Sequence, residues 1–201
     1  MRRSCRFASV CILLISPIAF LGQSGDKSLE EPSSAVQLDP EAAKKLVRAQ
    51  FGSGYTLSTP LDPMIGDFNG DGIPDLVLVA HASNPLVNSV GFNYKVIDPY
   101  YAFYGFGDPK VTMNFDASDP RNRGLVLLII HGAANDAWKA PTPKAKFVII
   151  NVPFVKVSLS KTLLHKKPIS AIAAQEVDTN SSVIFWTGKS YQYHPFGGAM
   201  E

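Results

Sequence analysis

The sequence predicts an α+β fold that is mainly antiparallel β: a single sheet or sandwich with one N-terminal helix. Three observations carry this reading. Short β-branched and aromatic runs recur between clusters of Pro, Gly, Asn and Asp from Leu76 onward. Asp39-Pro40-Glu41 has the order of a helix start. Thr187-Gly188-Lys189 joins Val183–Trp186 to the alternating Tyr191-Gln192-Tyr193, which is a hairpin signal.

The helix is expected over Pro40–Gln50. Asp39 is placed to cap the first amides, Pro40 tolerates the first helical position, and Glu41 suits the positive end of the helix dipole. Ala42, Ala43, Leu46, Val47 and Phe51 share one stripe, Lys44, Lys45 and Arg48 fall nearer the exposed side, and Gly52 and Gly54 stop the helix. Strands are expected at Leu76–Ala80, Val111–Phe115, Leu125–Ile130, Phe147–Val152 and Val183–Trp186. Ile169–Ala174 suits either a strand or a helix, because its small and β-branched residues fit both.

The amino terminus reads as a secretory signal peptide over residues 1–24. Met1–Arg6 is basic, Phe7–Gly22 is uncharged, and small and polar residues follow. The apolar run contains Pro17 and falls short of the ~20 residues a membrane span needs. Residues 25–38 are polar and rich in Gly, Ser and Pro, which predicts a flexible leader. Residues 39–201 carry no linker and are expected to form one domain.

Both cysteines, Cys5 and Cys11, lie in the signal segment. The exported chain would then carry no disulfide, no catalytic thiolate and no Cys-ligated zinc. Removing the segment takes away Arg2, Arg3 and Arg6 and no acid, leaving 16 basic residues against 17 acidic ones. A near-neutral chain gives no electrostatic reason to expect nucleic acid or an anionic membrane as partner. A protein or glycan ligand remains as the expected partner class, and the expected localisation is secreted or periplasmic.

One motif carries chemistry. Gly66–Leu78 reads GDFNGDGIPDLVL, with side-chain oxygens at Asp67, Asn69, Asp71 and Asp75. These are positions 1, 3, 5 and 9 of a loop, and Ile73 at position 7 can offer its carbonyl. Calcium takes six to eight hard oxygens, and a curled loop points alternate residues the same way. Gly70 and Gly72 make positive φ cheap, and Phe68 should turn away into the core. The bland reading is a turn built of turn-forming residues. Three carboxylates in so short a loop argue against it, since each like-charge pair at about 4 Å costs about 4 kcal/mol at an effective dielectric near 20. By this charge argument, losing Asp71 or Asp75 removes a ligand and leaves metal-free stability nearly unchanged.

An EF-hand would place Glu at position 12 and leave by a helix. Here position 12 is Leu78 and the chain leaves through LVLVA, a strand. GDFNGDGIPDLVLVA resembles the FG-GAP (VCBS-type) repeat of integrin α-subunit propellers and of many exported bacterial proteins, and Phe51-Gly52 fits the start of that repeat. The resemblance spans Phe51–Ala80. It implies one calcium ion held by Asp67, Asn69, Asp71, the Ile73 carbonyl and Asp75. A propeller needs at least four blades, and the chain has a single such loop, so a complete propeller is not expected.

Two function classes follow. The first is a non-enzymatic exported binding or structural module that uses one Ca2+ for rigidity. The second is a small hydrolase-like enzyme with a site around His131, Asp136 and Trp138. Leu125–Gly132 (LVLLIIHG) resembles the strand and His-Gly of an α/β-hydrolase oxyanion hole, but no Gly-x-Ser-x-Gly elbow occurs in the chain. His81, His165 and His194 lie far in sequence from any obvious nucleophile. Tyr100, Tyr101, Phe103, Tyr104 and Phe106 could stack sugar rings, but are expected to form the core of a small sheet. Lys161, Lys166 and Lys167 read as a solvated basic face.

Overall fold

The computed structural model describes residues 38–106, 114–178 and 180–196. The signal segment, the leader up to residue 37 and residues 111–113 of the expected Val111–Phe115 strand lie outside them. Among the described residues, no helix is long and apolar enough to cross a membrane.

Helix α1 spans Pro40–Phe51, one residue beyond expectation. Asp39 accepts from the Ala42 amide at 2.8 Å, as an N-cap does. Gly52 ends the helix at φ 90° and donates its N–H to the Arg48 carbonyl. Phe51-Gly52 is therefore the helix stop, as the sequence predicts for Gly52. Lys146 Nζ donates to the Gln50 carbonyl at 2.8 Å and brings positive charge to the negative end of the helix.

The strands form two sheets. The first takes β1 (Tyr55–Leu57), β2 (Met64–Gly66), β3 (Asp75–Ala82), β4 (Lys95–Ile97), β5 (Leu125–His131) and β6 (Ala145–Ile149). Its order is β1-β3-β5-β6-β4, with β2 also paired to β3. All its pairs are antiparallel except β4 with β6. The second takes β7 (Phe154–Leu164), β8 (Lys167–Glu176), β9 (Ser181–Trp186) and β10 (Tyr191–Phe196) as an antiparallel meander.

The central strand β5 is buried along its whole length, which is why it reads as an unbroken apolar run. One face of the first sheet places Val77, Leu127, Ile129, Phe147 and Ile149 against Val157, Ile172, Ile184, Tyr191 and Tyr193 of the second sheet. The other face packs Leu76, Leu78, Val126, Leu128, Ile130 and Val148 with Val47 and Phe51 of α1 and with Trp138. The architecture is thus helix on sheet on sheet, an α+β fold of mainly antiparallel strands with no propeller ring.

Several elements differ from expectation. Ile169–Ala174 resolves as strand, inside β8. The expected Phe147–Val152 strand starts earlier and stops at Ile149, because Asn151 turns the chain at φ 63°. Asn114 and Phe115 lie in no strand. The aromatic cluster is not a sheet core. It falls on and just after a short helix α2, Pro99–Phe103, capped by Asp98 through the Tyr101 amide at 2.9 Å. Tyr100 packs on the core between the two sheets, whereas Phe103, Tyr104 and Phe106 are exposed. A helical turn sends side chains around its axis, so only part of the cluster can face inward.

Candidate metal centre

The loop grows out of a β-hairpin. Gly66 on β2 stands opposite Asp75 on β3, and residues 67–74 bridge them. Gly66 has no room for a side chain, since a Cβ there would lie 2.3 Å from Ser170 Oγ on the second sheet. Beside it the Ser170 amide donates to the Asp67 carbonyl at 2.7 Å, so the base of the loop is fastened to both sheets. Phe68 is fully buried in the core between them, as its even position predicts. Gly70 and Gly72 take φ values of 81° and 83°, the left-handed conformation that lets the chain curl.

Inside that curl the main-chain amides point at the side-chain oxygens. Asp67 Oδ1 accepts from Gly70 at 2.7 Å and from Asp71 at 3.2 Å, and its Oδ2 accepts from Gly72 at 2.8 Å. Asn69 Oδ1 accepts from Asp71 at 2.9 Å, and Asp71 Oδ1 accepts from Ile73 at 2.9 Å. Asp75 Oδ2 accepts from Phe68 at 2.8 Å, and its Oδ1 accepts from Gly132 at 2.7 Å. The structure therefore brings Asp67, Asn69, Asp71, Ile73 and Asp75 together in one nest of amides. Such concave arrangements fix carboxylates in place by their partial positive charge.

Charge in the nest is unevenly met. Asp75 is 0 % exposed. Burial pushes its carboxyl up to about 7, against the Gly132 and Phe68 amides and with the help of the Asp71 and Asp67 charges. Burial also pushes Asp71 up, but the Lys144 ammonium and the Ile73 amide outweigh it and hold Asp71 below its ordinary value. Lys144 Nζ sits 2.8 Å from Asp71 Oδ2. Among the described residues, no three His, Cys, Asp or Glu side chains stand close enough together to hold a metal ion as they are placed. The carboxylates are turned onto amides and onto Lys144 instead. The donor set is nonetheless all hard oxygen, and each carboxylate has about four lone-pair directions, more than its amide partners use.

Gly132 and Lys144 belong to this centre and were not picked out with it by the sequence. Gly132 follows β5, and a Cβ there would lie 2.4 Å from the Pro74 carbonyl oxygen and 2.9 Å from Ile73 Cγ2. Only glycine lets the loop close onto the end of β5 and reach the amide that Asp75 needs. The His131-Gly132 pair was visible in the sequence, but its partner on the loop was not.

The alternative constellation does not assemble. His131 lies on the inner face of β5, buried, with Nε2 2.7 Å from Tyr191 Oη. Its ring centroid is 5.0 Å from that of Phe147 and 5.1 Å from that of Trp186. Burial pushes its imidazole down to about 4, so the ring is neutral at ordinary pH. Trp138 is buried in the core on the opposite face of the sheet, and Asp136 is exposed on the 3₁₀ turn Ala134–Lys139. The three residues do not converge, because alternate positions along a strand and the turn after it point to different sides. His81, His165 and His194 are exposed, and so are Lys161, Lys166 and Lys167.

The fold and this loop define a two-sheet α+β protein with an acidic, amide-lined hairpin loop. No protein-family model, curated protein or solved structure matches the chain.

Proposed function

We propose that this is an exported calcium-binding protein, a non-enzymatic binding or structural module stabilised by one Ca2+. The ion would be held by Asp67, Asn69, Asp71, the Ile73 carbonyl and Asp75. A protein or glycan is the ligand class we expect for the module. The observation that carries the reading is the placement of Asp75: a fully buried carboxylate in one loop with two others, facing a single exposed lysine. Burying a carboxylate is costly unless a positive charge meets it, and a divalent cation supplies that charge at the point of need. The likeness to one FG-GAP-type repeat over Phe51–Ala80, with the loop as its specific part, supports the same reading. The pairing of His131 with Tyr191 in the core, away from Asp136, favours the module over the hydrolase-like enzyme. Export rests on the basic, apolar, small order of residues 1–24. The intact mass of the exported form should lack that segment, and recovery of the full-length mass from a membrane fraction would refute its removal.

The test is melting with and without calcium. Extracellular calcium modules have Kd near 10⁻⁴–10⁻³ M. At a Kd of about 10⁻⁴ M, about 1 mM calcium stabilises the fold by ~1.4 kcal/mol. For a domain of this size that raises Tm by about 3–6 °C, and chelator should reverse it. Magnesium should substitute poorly, because it dehydrates reluctantly and wants octahedral geometry. Asp71→Ala should match wild type in chelator within about 1 kcal/mol, the worth of its exposed ion pair, and fall behind in calcium. A melting curve indifferent to calcium and chelator would leave the loop as a plain turn.

A further inference from the structure

We infer that Lys144 is a tethered counter-cation of the Asp67–Asp75 loop, and that calcium must displace it to bind. The inference rests on the calcium reading given above.

Lys144 reaches the loop from 73 residues away in sequence, on the approach to β6. Pro141 and Pro143 stiffen that approach by fixing φ. The Lys144 amide donates to the His131 carbonyl at 3.0 Å. The next amide along, Gly132, donates to Asp75 at 2.7 Å. One dipeptide at the end of β5, His131-Gly132, therefore anchors both the base of Lys144 and the buried carboxylate of the loop. From that base the ammonium lies 2.8 Å from Asp71 Oδ2. Asp71 Oδ1 is engaged by the Ile73 amide, so Lys144 holds the Asp71 oxygen without an amide partner, the one more open to a cation at position 5.

The two cations exclude each other. They would share one carboxylate oxygen, and like charges at such a distance repel. The ion pair is also weak enough to yield. Lys144 keeps 57 % of its side chain exposed against 18 % for Asp71, so solvent reaches the pair from the lysine side, and such a pair is worth about a fivefold factor in an equilibrium. In calcium's absence the ammonium screens the carboxylates and keeps the loop curled. In calcium's presence it is a competitor that sets the affinity lower than the oxygens alone would give.

The experiment is calorimetric titration of CaCl2 into the chelator-stripped full chain, alongside melting in chelator, for wild type, Lys144→Met and Lys144→Gln. Lys95→Met is the control, an exposed lysine on β4 whose loss changes net charge equally. The Lys144 variants should bind calcium about three- to fivefold more tightly, melt lower in chelator, and show a larger rise in Tm on adding calcium. Lys95→Met should track wild type in all three. If wild type binds calcium and the Lys144 variants bind with unchanged or weaker affinity, the competition is overturned while the calcium reading stands. If wild type shows no calcium binding at all, the calcium reading falls and the displacement falls with it.

Discussion

Replacing Gly132 with alanine adds one methyl group at a place that has no room for it. The new carbon would meet the Pro74 carbonyl oxygen at 2.4 Å, the Ala137 carbonyl carbon at 2.8 Å and Ile73 Cγ2 at 2.9 Å. Two of these neighbours are main chain, so no rotamer change relieves the clash. The loop must move away from β5, or the 3₁₀ turn must. Overpacking of this kind costs about 1–3 kcal/mol. Movement of the loop also stretches the bond from the Gly132 amide to Asp75, and leaving a buried donor and a buried carboxylate poorly paired costs about 1–3 kcal/mol more. Together these amount to about 2–6 kcal/mol, or a fall in Tm of about 5–20 °C for a domain of this size.

Thermal unfolding followed by circular dichroism, in chelator, reads the effect without any contribution from metal. Gly54→Ala is the matched control, because its Cβ would meet nothing nearer than Asn88 Nδ2 at 3.7 Å. The expected order is wild type close to Gly54→Ala and well above Gly132→Ala. A Gly132→Ala protein that melts within about 1 °C of wild type would show that the loop does not close on β5 as described. The amide tether of Asp75 would then lose its structural basis.

Asp75→Ala should destabilise the metal-free protein by about 2 kcal/mol or more in urea unfolding, because it strands the buried Phe68 and Gly132 amides. This corrects the charge argument from sequence, which treated Asp75 like Asp71, and equal metal-free stabilities for Asp71→Ala and Asp75→Ala would refute it. His131 gives a pH dependence. Its folded value lies near 4 against 6.5 for the free ring, so the unfolded state binds a proton that the fold refuses. Its contribution is complete above about pH 6.5 and falls by up to about 3 kcal/mol as pH drops toward 4. Asp75 acts with the opposite sign: its raised value makes the ionised carboxyl cost stability as pH rises from 3.8 toward about 7. The His131 effect is therefore read as wild type minus His131→Gln, measured by urea unfolding between about pH 4.5 and 7.5. A flat difference across that range would mean that His131 titrates freely.

What the sequence showed and what it concealed divide by range. The helix was legible from Asp39-Pro40-Glu41 because capping is a contact between residues three apart. Strands β3 and β5 were legible because both faces are buried along Leu76–Ala80 and Leu125–Ile130, which leaves in each an apolar run without an exposed residue. The loop was legible as a spacing of oxygens around two glycines. The longest strand, β7, was not. It ends in a two-residue turn, His165-Lys166, with φ values of 49° and 69°. That is the mirror-image hairpin turn for which Asn-Gly or Asp-Gly is the usual signal, and His-Lys gives none. Its Lys and Ser residues further mask the alternation along an exposed edge strand.

The same limit of range explains the acidic loop. The oxygens of Asp67, Asn69, Asp71 and Asp75 are set by neighbours within the loop, so their pattern is local and readable. What decides the charge balance there comes from elsewhere: the Gly132 amide from 57 residues away and the Lys144 ammonium from 73. Neither residue carries a motif that points back to the loop. The sequence offered His131-Gly132 as the mark of an oxyanion hole, a place where an amide waits for a negative oxygen. The amide of Gly132 does meet a negative oxygen, but it is the protein's own, on Asp75. An amide already engaged at 2.7 Å by a buried carboxylate is not free to stabilise a developing charge on a substrate. The feature that suggested an oxyanion hole is spent on holding the loop to the end of β5.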